Sequence, residues 1–399
     1  MFLPYLLAIL AGISAGIFTG LIPGIHVNLI TAVVVSSIAV FSGISPFLIA
    51  IFIVSLALTH SFLDSIPSIY LGAPDESMVV GVLPGHQLLM QGKGHLAITY
   101  TILGSLAALF LTILFIPIGI KVLAPVQAVI SPYIGKALLG IVIILIFLSK
   151  KLFRNSFFFL AAGLLGLTCF SLVSQKQILL PLLSGLFGTS TLLYSLATAS
   201  VMPVQRLSKT TIPIKQKTLE GVTLRATFVG MLASFLPGFG SSQAALVAST
   251  TLKEKTPAEY LLLVGGINTV NFSFSLVTMM VLGKARNGAI VGVKELLGTI
   301  TGNQLLVFVF VLLMVGGIAS IIGIKLSRKL AVFLPKVNYQ KLVWGVIIFL
   351  TLIVFLLSGL QGILILLTAS SLGILASKFG AQKNMLLGCL LLPVILYLW

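Results

Sequence analysis

Charge is scarce in this chain. Only seven Asp and Glu stand among 399 residues, and charged residues of both signs make up 8%. A soluble domain carries about 25%, because its surface faces water. With 58% hydrophobic residues, no soluble fold of this length is available, and lipid is the solvent that tolerates such an outer face. Histidine is rarer still: His26, His60, His86 and His95 are the four, and none follows position 95. They lack metal-ligand spacing. Gly238-Phe239-Gly240-Ser241 superficially resembles an intramembrane serine site, but a serine nucleophile needs a base within hydrogen-bond reach and the second half holds no histidine. His-Glu-x-x-His and Gly-x-Gly-Asp elements are also missing, so no enzyme is expected. Cysteine is limited to Cys169 and Cys389, both inside apolar runs, which excludes a disulfide framework or a zinc site. The first apolar stretch has no basic flank and is followed by further spans, so no cleaved leader is expected.

What is present is basic. The net charge is +17, yet the cations fall in short clusters between apolar runs: Lys150, Lys151 and Arg154; Arg206, Lys209, Lys215 and Lys217; Lys325, Arg328 and Lys329; Lys378 and Lys383. No charge precedes Asp64. This is the distribution of cytoplasmic loops that orient spans, not of a nucleic-acid surface. Spans are predicted over 96–120, 133–149, 156–174, 178–200, 298–324, 339–357, 360–376 and 384–398, by the length a bilayer requires. The longest polar stretch, about 203–220, leaves no room for a soluble domain.

Two regions, 5–95 and 221–297, are apolar but broken by Gly and Pro. Gly16 to Asn28, with Gly20, Pro23 and Gly24, aligns with Gly230 to Gln243, with Pro237, Gly238 and Gly240. Further on, Tyr70-Leu71-Gly72-Ala73-Pro74-Asp75-Glu76 aligns with Val281-Leu282-Gly283-Lys284-Ala285-Arg286-Asn287. Two matches in one order at nearly one offset predict an internal repeat. With every basic cluster in the cytoplasm, the loop at 84–95 is cytoplasmic and its counterpart near 297 external. The expected fold is therefore an all-α polytopic membrane protein with two inverted-topology repeats. The first covers 1–203 (broken-helix region 5–95, helices 96–200), and 204–220 is a basic cytoplasmic connector. The second covers 221–399 (broken-helix region 221–297, helices 298–398).

A Pro-Gly pair at membrane depth permits a re-entrant hairpin whose second limb aims free N–H groups inward and attracts anions; a Pro-kinked continuous helix is the alternative. Gly24, His26, Asn28, Gly238, Gly240, Ser241, Ser242, Gln243 and Asn271 are the candidate substrate contacts, with Gly20, Pro23, Gly72, Pro74 and Pro237 as hinges. Lys284 and Arg286 are candidates for gripping a carboxylate or phosphate, against the reading that they are solvated loop charges. His60 and Asp64 share a helix face. A carboxylate in a membrane segment is expensive unless paired or holding a cation, so Asp64, His60, Asp75, Glu76 and Asn268 are candidate ion-coupling residues, with a satisfied structural pair as the alternative.

The openings at 16–24, Gly72-Ala73-Pro74, Leu83-Pro84-Gly85-His86 and Gly92-Lys93-Gly94 together resemble the large membrane subunit of tripartite tricarboxylate transporters, the TctA-type permeases. The resemblance carries Gly20, Pro23, Gly24, Gly72, Pro74, Pro237 and Gly238. It implies import of organic di- or tricarboxylates on a Na+ or H+ gradient, with a small membrane subunit and an extracytoplasmic binding protein. Asp75, Glu76 and Pro84-Gly85-His86 depart from the family pattern. No cofactor or metal is expected, nor a nucleic-acid partner. A prokaryotic plasma membrane location and a homodimer enter as expectations. The competing cargo is a polyprenyl-phosphate lipid, which Lys284 and Arg286 would suit equally, and a non-transporting scaffold is the remaining alternative.

Overall fold

The computed structural model describes residues 2–22, 27–41, 43–72, 78–147, 151–172, 175–197, 203–207, 214–236, 239–252 and 256–398. The elements are helical. Helices α1 (Phe2–Leu21), α2 (Val27–Ser36), α3 (Pro46–Leu63), α4 (Ser65–Tyr70), α5 (Val79–Met90) and α6 (Gly94–Ile130) open the chain. Then come α7 (Ile134–Phe147), α8 (Leu152–Leu172), α9 (Gln175–Leu183), a π-helical turn over Ser184–Thr189, and α10 (Ser190–Ala197). The remainder holds α11 (Gln216–Phe235), α12 (Ser241–Ser249), α13 (Pro257–Leu282), α14 (Gly288–Leu297), α15 (Gly302–Phe333), α16 (Tyr339–Lys378) and α17 (Gly388–Tyr397). Among the described residues, seven helices are long and apolar enough to cross a membrane.

Local chemistry sets the boundaries. Helix α13 starts where Thr256 Oγ1 accepts the Glu259 N–H while the Glu259 carboxylate accepts the Thr256 N–H, each at 3.3 Å. Pro257 follows at the first helical position, where its missing donor costs nothing. The helix ends on Gly283, left-handed at φ 62°. Thr301 and Gln304 cap α15 in the same way. The 40 residues of α16 would measure about 60 Å, twice a bilayer core. Gly359, with φ 60° and ψ −155°, divides it into two lengths, so the predicted spans 339–357 and 360–376 are the two limbs of one bent helix.

Three expectations are corrected. The 84–95 region is not a loop: Pro84, Gly85 and His86 lie inside α5, and only positions 91–93 turn. Packing of α5 on α4, α6 and α13 outweighs the helix-breaking signal of Pro-Gly. Helix α6 runs through Pro117 and Pro125 to Ile130, since a membrane helix tolerates Pro where surroundings satisfy the freed carbonyls. Helix α15 extends to Phe333 and takes Lys325, Arg328 and Lys329 into its last turns.

The helices sort into two bodies. A large body contains α1–α6 and α11–α15, with α13 and α3–α4 as its most buried members. Its backbones approach closely at small residues: a Cβ on Gly12 or Gly16 of α1 would lie 2.5 Å from the Phe52 carbonyl or 2.6 Å from that of Leu56 on α3. A small body contains α7–α10, α16 and α17, in which α17 packs on α8 and α16 on α9, the π turn and α10.

Candidate functional site

The polar residues of the large body gather where its helices break. Helix α1 stops at Leu21 and α2 starts at Val27; α11 stops at Phe235 and α12 starts at Ser241. Both interruptions fall on the aligned Pro-Gly pairs. Pro23, Gly24, His26, Pro237 and Gly238 themselves lie outside the described residues, as do Pro74, Asp75 and Glu76. At ten and nine residues, α2 and α12 span about 15 Å or less, half a bilayer core. Helix α1, at 20 residues, is long enough to cross by itself.

One backbone hydrogen bond is missing around Asp64, where α3 runs on into α4. Pro67 cannot donate to the Leu63 carbonyl one turn earlier. The chain nonetheless stays helical: the Asp64 N–H donates to the His60 carbonyl at 2.9 Å, and the Ser68 hydroxyl donates to the Asp64 carbonyl at 2.6 Å. Asp64 is only 2% exposed. Its Oδ2 accepts from Nδ2 of Asn268 on α13 at 2.8 Å, and the same amide reaches the Ser61 carbonyl at 3.4 Å. Helices from the two ends of the chain are thus joined at a buried carboxylate.

This link belongs to a wider arrangement. His60 Nδ1 is 3.1 Å from Thr19 Oγ1 on α1. One turn beyond Asn268, Asn271 Nδ2 donates to Ser241 Oγ at 2.9 Å, at the start of α12. Ser241, Ser242 and Gln243 form the first turn of α12 and are buried. Gly240 precedes them as a cap without a side chain, leaving the first-turn N–H groups uncapped by its side chain. Gly20 serves packing, since a Cβ there would sit 2.9 Å from Leu63 Cβ on α3. Gly72 makes the turn after α4 at φ 62°.

Lys284 and Arg286 stand elsewhere. Leu282 lies eleven positions along α13 from Asn271, about 16 Å of helix. Both cations sit on the loop beyond that end, Lys284 partly buried and Arg286 exposed. Asn28 joins this outer group: a Cβ on Gly288 would lie 2.4 Å from Asn28 Oδ1. Asn287 caps α14 by accepting the Ile290 N–H at 2.9 Å. The candidate residues therefore form an inner cluster (Thr19, His60, Asp64, Asn268, Asn271, Ser241) and an outer one (Asn28, Lys284, Arg286).

Two elements were missed by sequence reasoning. Thr19 lies within the Gly16–Gly20 motif, and a hydroxyl in an otherwise apolar helix was its signal. Gln205, in the polar connector, carried none. It accepts the Gly94 N–H at 2.8 Å and donates to the Leu89 carbonyl at 3.1 Å, while the Arg206 N–H donates to the Gly92 carbonyl at 2.7 Å. The connector is thereby fastened to the turn between α5 and α6.

Lys383, in the turn before α17, donates to Thr191 Oγ1 at 2.6 Å. Burial pushes its ammonium down from 10.5 to about 8. Between those values the unfolded chain binds more protons than the folded one, so stability rises with pH across that window and is lost as pH falls towards 8. The thermal midpoint of the wild type is expected to climb relative to Lys383→Met between pH 8 and 10. Parallel profiles would contradict it.

These features define a polytopic, all-helical membrane protein whose polar groups converge on broken helices in its interior, the construction of membrane carriers. The chain belongs to the tripartite tricarboxylate transporter TctA family, whose model matches residues 6–388; that family consists of transporter components, not enzymes. It is also similar to an uncharacterized protein of Methanocaldococcus jannaschii, at 29% identity over 401 aligned positions and 98% of each chain. No solved structure matches.

Proposed function

We propose that the chain is the large membrane subunit of a secondary-active carrier for small organic di- or tricarboxylates. In this reading it sits in the plasma membrane of a prokaryote and works with a small membrane subunit and an extracytoplasmic binding protein. Transport is driven by Na+ or H+ through Asp64. The observation that carries this reading is the Asp64–Asn268 link, a buried carboxylate held between α3 and α13, one turn from the Asn271–Ser241 bond that ties α13 to the start of α12. Carboxylates at membrane depth are retained for ion pathways and coupling. The start of α12, with Ser241, Ser242 and Gln243 after Gly240, supplies donors for an anion.

The two halves are proposed to be inverted repeats. In support, the packing exchanges members in pairs: α1 packs on α3 as α11 does on α13, α6 on α13 as α15 on α3, and α14 on α3 as α5 on α13.

Thermal stability of the purified protein tests the cargo, measured with citrate, succinate, tartrate, inorganic phosphate and a short polyprenyl phosphate, each with and without sodium. A native-state ligand raises the midpoint by mass action. A shift with a carboxylate that grows with sodium is expected. A shift only with the lipid phosphate would move the assignment to a lipid carrier, and no shift with any carboxylate would remove its support. Arg286→Ala is expected to weaken citrate binding about tenfold or more, as loss of a charge-assisted contact does, while the protein stays inserted. Unchanged affinity would return Arg286 to the solvated loop.

A further inference from the structure

We infer that this carrier works by displacement of the large body, site and all, against the small body. The inference rests on the transport reading above and specifies how access to the site would alternate. Its basis is the way the helices divide. Outside the chain joins, all extensive helix–helix packing falls within α1–α6 with α11–α15 or within α7–α10 with α16 and α17. In chain order the bodies are joined at three places: between α6 and α7, between α10 and α11, and between α15 and α16.

Each body is tied internally. In the large one, Tyr70 Oη donates to the Ser327 carbonyl at 3.0 Å, His95 Nδ1 lies 3.0 Å from Ser327 Oγ, and Asn268 meets Asp64. In the small one, Thr189 bonds Ser370, the Gln382 N–H donates to Asn155 Oδ1 at 3.0 Å, and Lys383 bonds Thr191. Close backbone approaches follow the same division: Gly166 lies against the Cys389 carbonyl within the small body, and Gly104 against that of Leu262 within the large.

The seam is different in kind. A cavity there is lined by Tyr70, Leu71 and His86 from the large body and by Leu192, Leu342 and Val343 among others from the small. Its 10 Å³ is about the space of one water molecule, too small for a substrate chamber. Most of this lining is apolar, and apolar surfaces slide at lower cost than ones that must exchange hydrogen bonds.

The placement of the site decides the kind of motion. Asp64, Asn268, Asn271, Ser241, Asn28, Lys284 and Arg286 all belong to the large body. A site formed between two rocking halves would draw residues from both. Here one body holds every described candidate, so changing its exposure requires moving that body as a unit.

Pulsed electron spin resonance in lipid nanodiscs tests this. Cys169→Ala and Cys389→Ala supply the background. Labels at exposed positions are paired across the seam (Gln87→Cys with Lys341→Cys, Lys217→Cys with Lys378→Cys) and within bodies (Gln87→Cys with Lys217→Cys, Lys341→Cys with Lys378→Cys). The cross-seam pairs are expected to show more than one distance, differing by at least a helical turn of about 5 Å. Sodium with citrate, or a change of pH, redistributes them, while the within-body pairs keep one. A single narrow cross-seam distance under all conditions would overturn the inference. So would within-body distances that move as much. Uptake of citrate or succinate by the same variants reports on the cargo reading separately: plural cross-seam distances without uptake leave the motion standing and remove the cargo.

Discussion

Asp64→Asn is expected to abolish ion-dependent uptake while leaving the protein folded. The substitution keeps the shape of the side chain and an oxygen that can accept from Asn268 Nδ2, now 2.8 Å from Asp64 Oδ2. What it removes is charge, at a position 2% exposed. A buried carboxylate interacts with a cation far more strongly than a surface one, because water does not screen it. The amide oxygen that replaces it carries a dipole only. Uptake should fall at least a hundredfold, equivalent to about 3 kcal/mol by the tenfold rule. The response of the thermal midpoint to sodium or to pH should vanish with it. Asn268→Ala is the companion variant: it deletes the donor, leaves the charge, and is expected to weaken coupling without eliminating it. Sodium and pH responses that persist unchanged in Asp64→Asn would dismiss Asp64 as the coupling group.

The parts of this site legible in the sequence are those where backbone chemistry is discontinuous. Pro-Gly at 23–24 and 237–238 marked the ends of α1 and α11 because neither residue continues a helix at low cost, and the next helices begin at Val27 and Ser241. Asp64 was visible as a carboxylate among apolar residues, and His60 as its neighbour one turn away. Its partner was legible only in outline, because Asn268 lies 204 positions along the chain and its register against α3 is settled by helix packing. The same Pro-Gly signal misled at Pro84-Gly85, where burial among α4, α6 and α13 sustains a helix. Lys284 and Arg286 align with Ala73 and Asp75 of the first half, but α13 runs unbroken to Leu282 and carries them about 16 Å past Asn271. The division into two bodies had no sequence signal, since spans that pack together and spans that face lipid are both apolar.

Gly265→Leu is expected to cause a severe loss of folded protein. A Cβ on Gly265 would lie 2.3 Å from the Thr101 carbonyl oxygen, and one on Gly104 2.1 Å from that of Leu262. Helices α6 and α13 therefore touch backbone to backbone, and the Ser105 hydroxyl donates to the Gly265 carbonyl at 3.0 Å across the contact. Neither obstruction is a flexible side chain that could swing away, so even Gly265→Ala must push the helices apart. Overpacking costs about 1–3 kcal/mol where neighbours can adjust, and more where they cannot; here the neighbour is a helix backbone on each side. The consequence reaches the site, because Asn268 follows Gly265 by less than one turn and any retreat of α13 draws its amide away from Asp64. Gly265→Leu should therefore yield little monodisperse protein in detergent, and Gly265→Ala a lowered thermal midpoint with reduced sodium response. Gly345→Leu is the control: no atom outside its local helix lies within 4 Å of a Cβ there, and its midpoint should match the wild type. Equal midpoints for Gly265→Ala and Gly345→Leu would show that α6 and α13 are free to separate, and that the Asp64–Asn268 link does not depend on their close crossing.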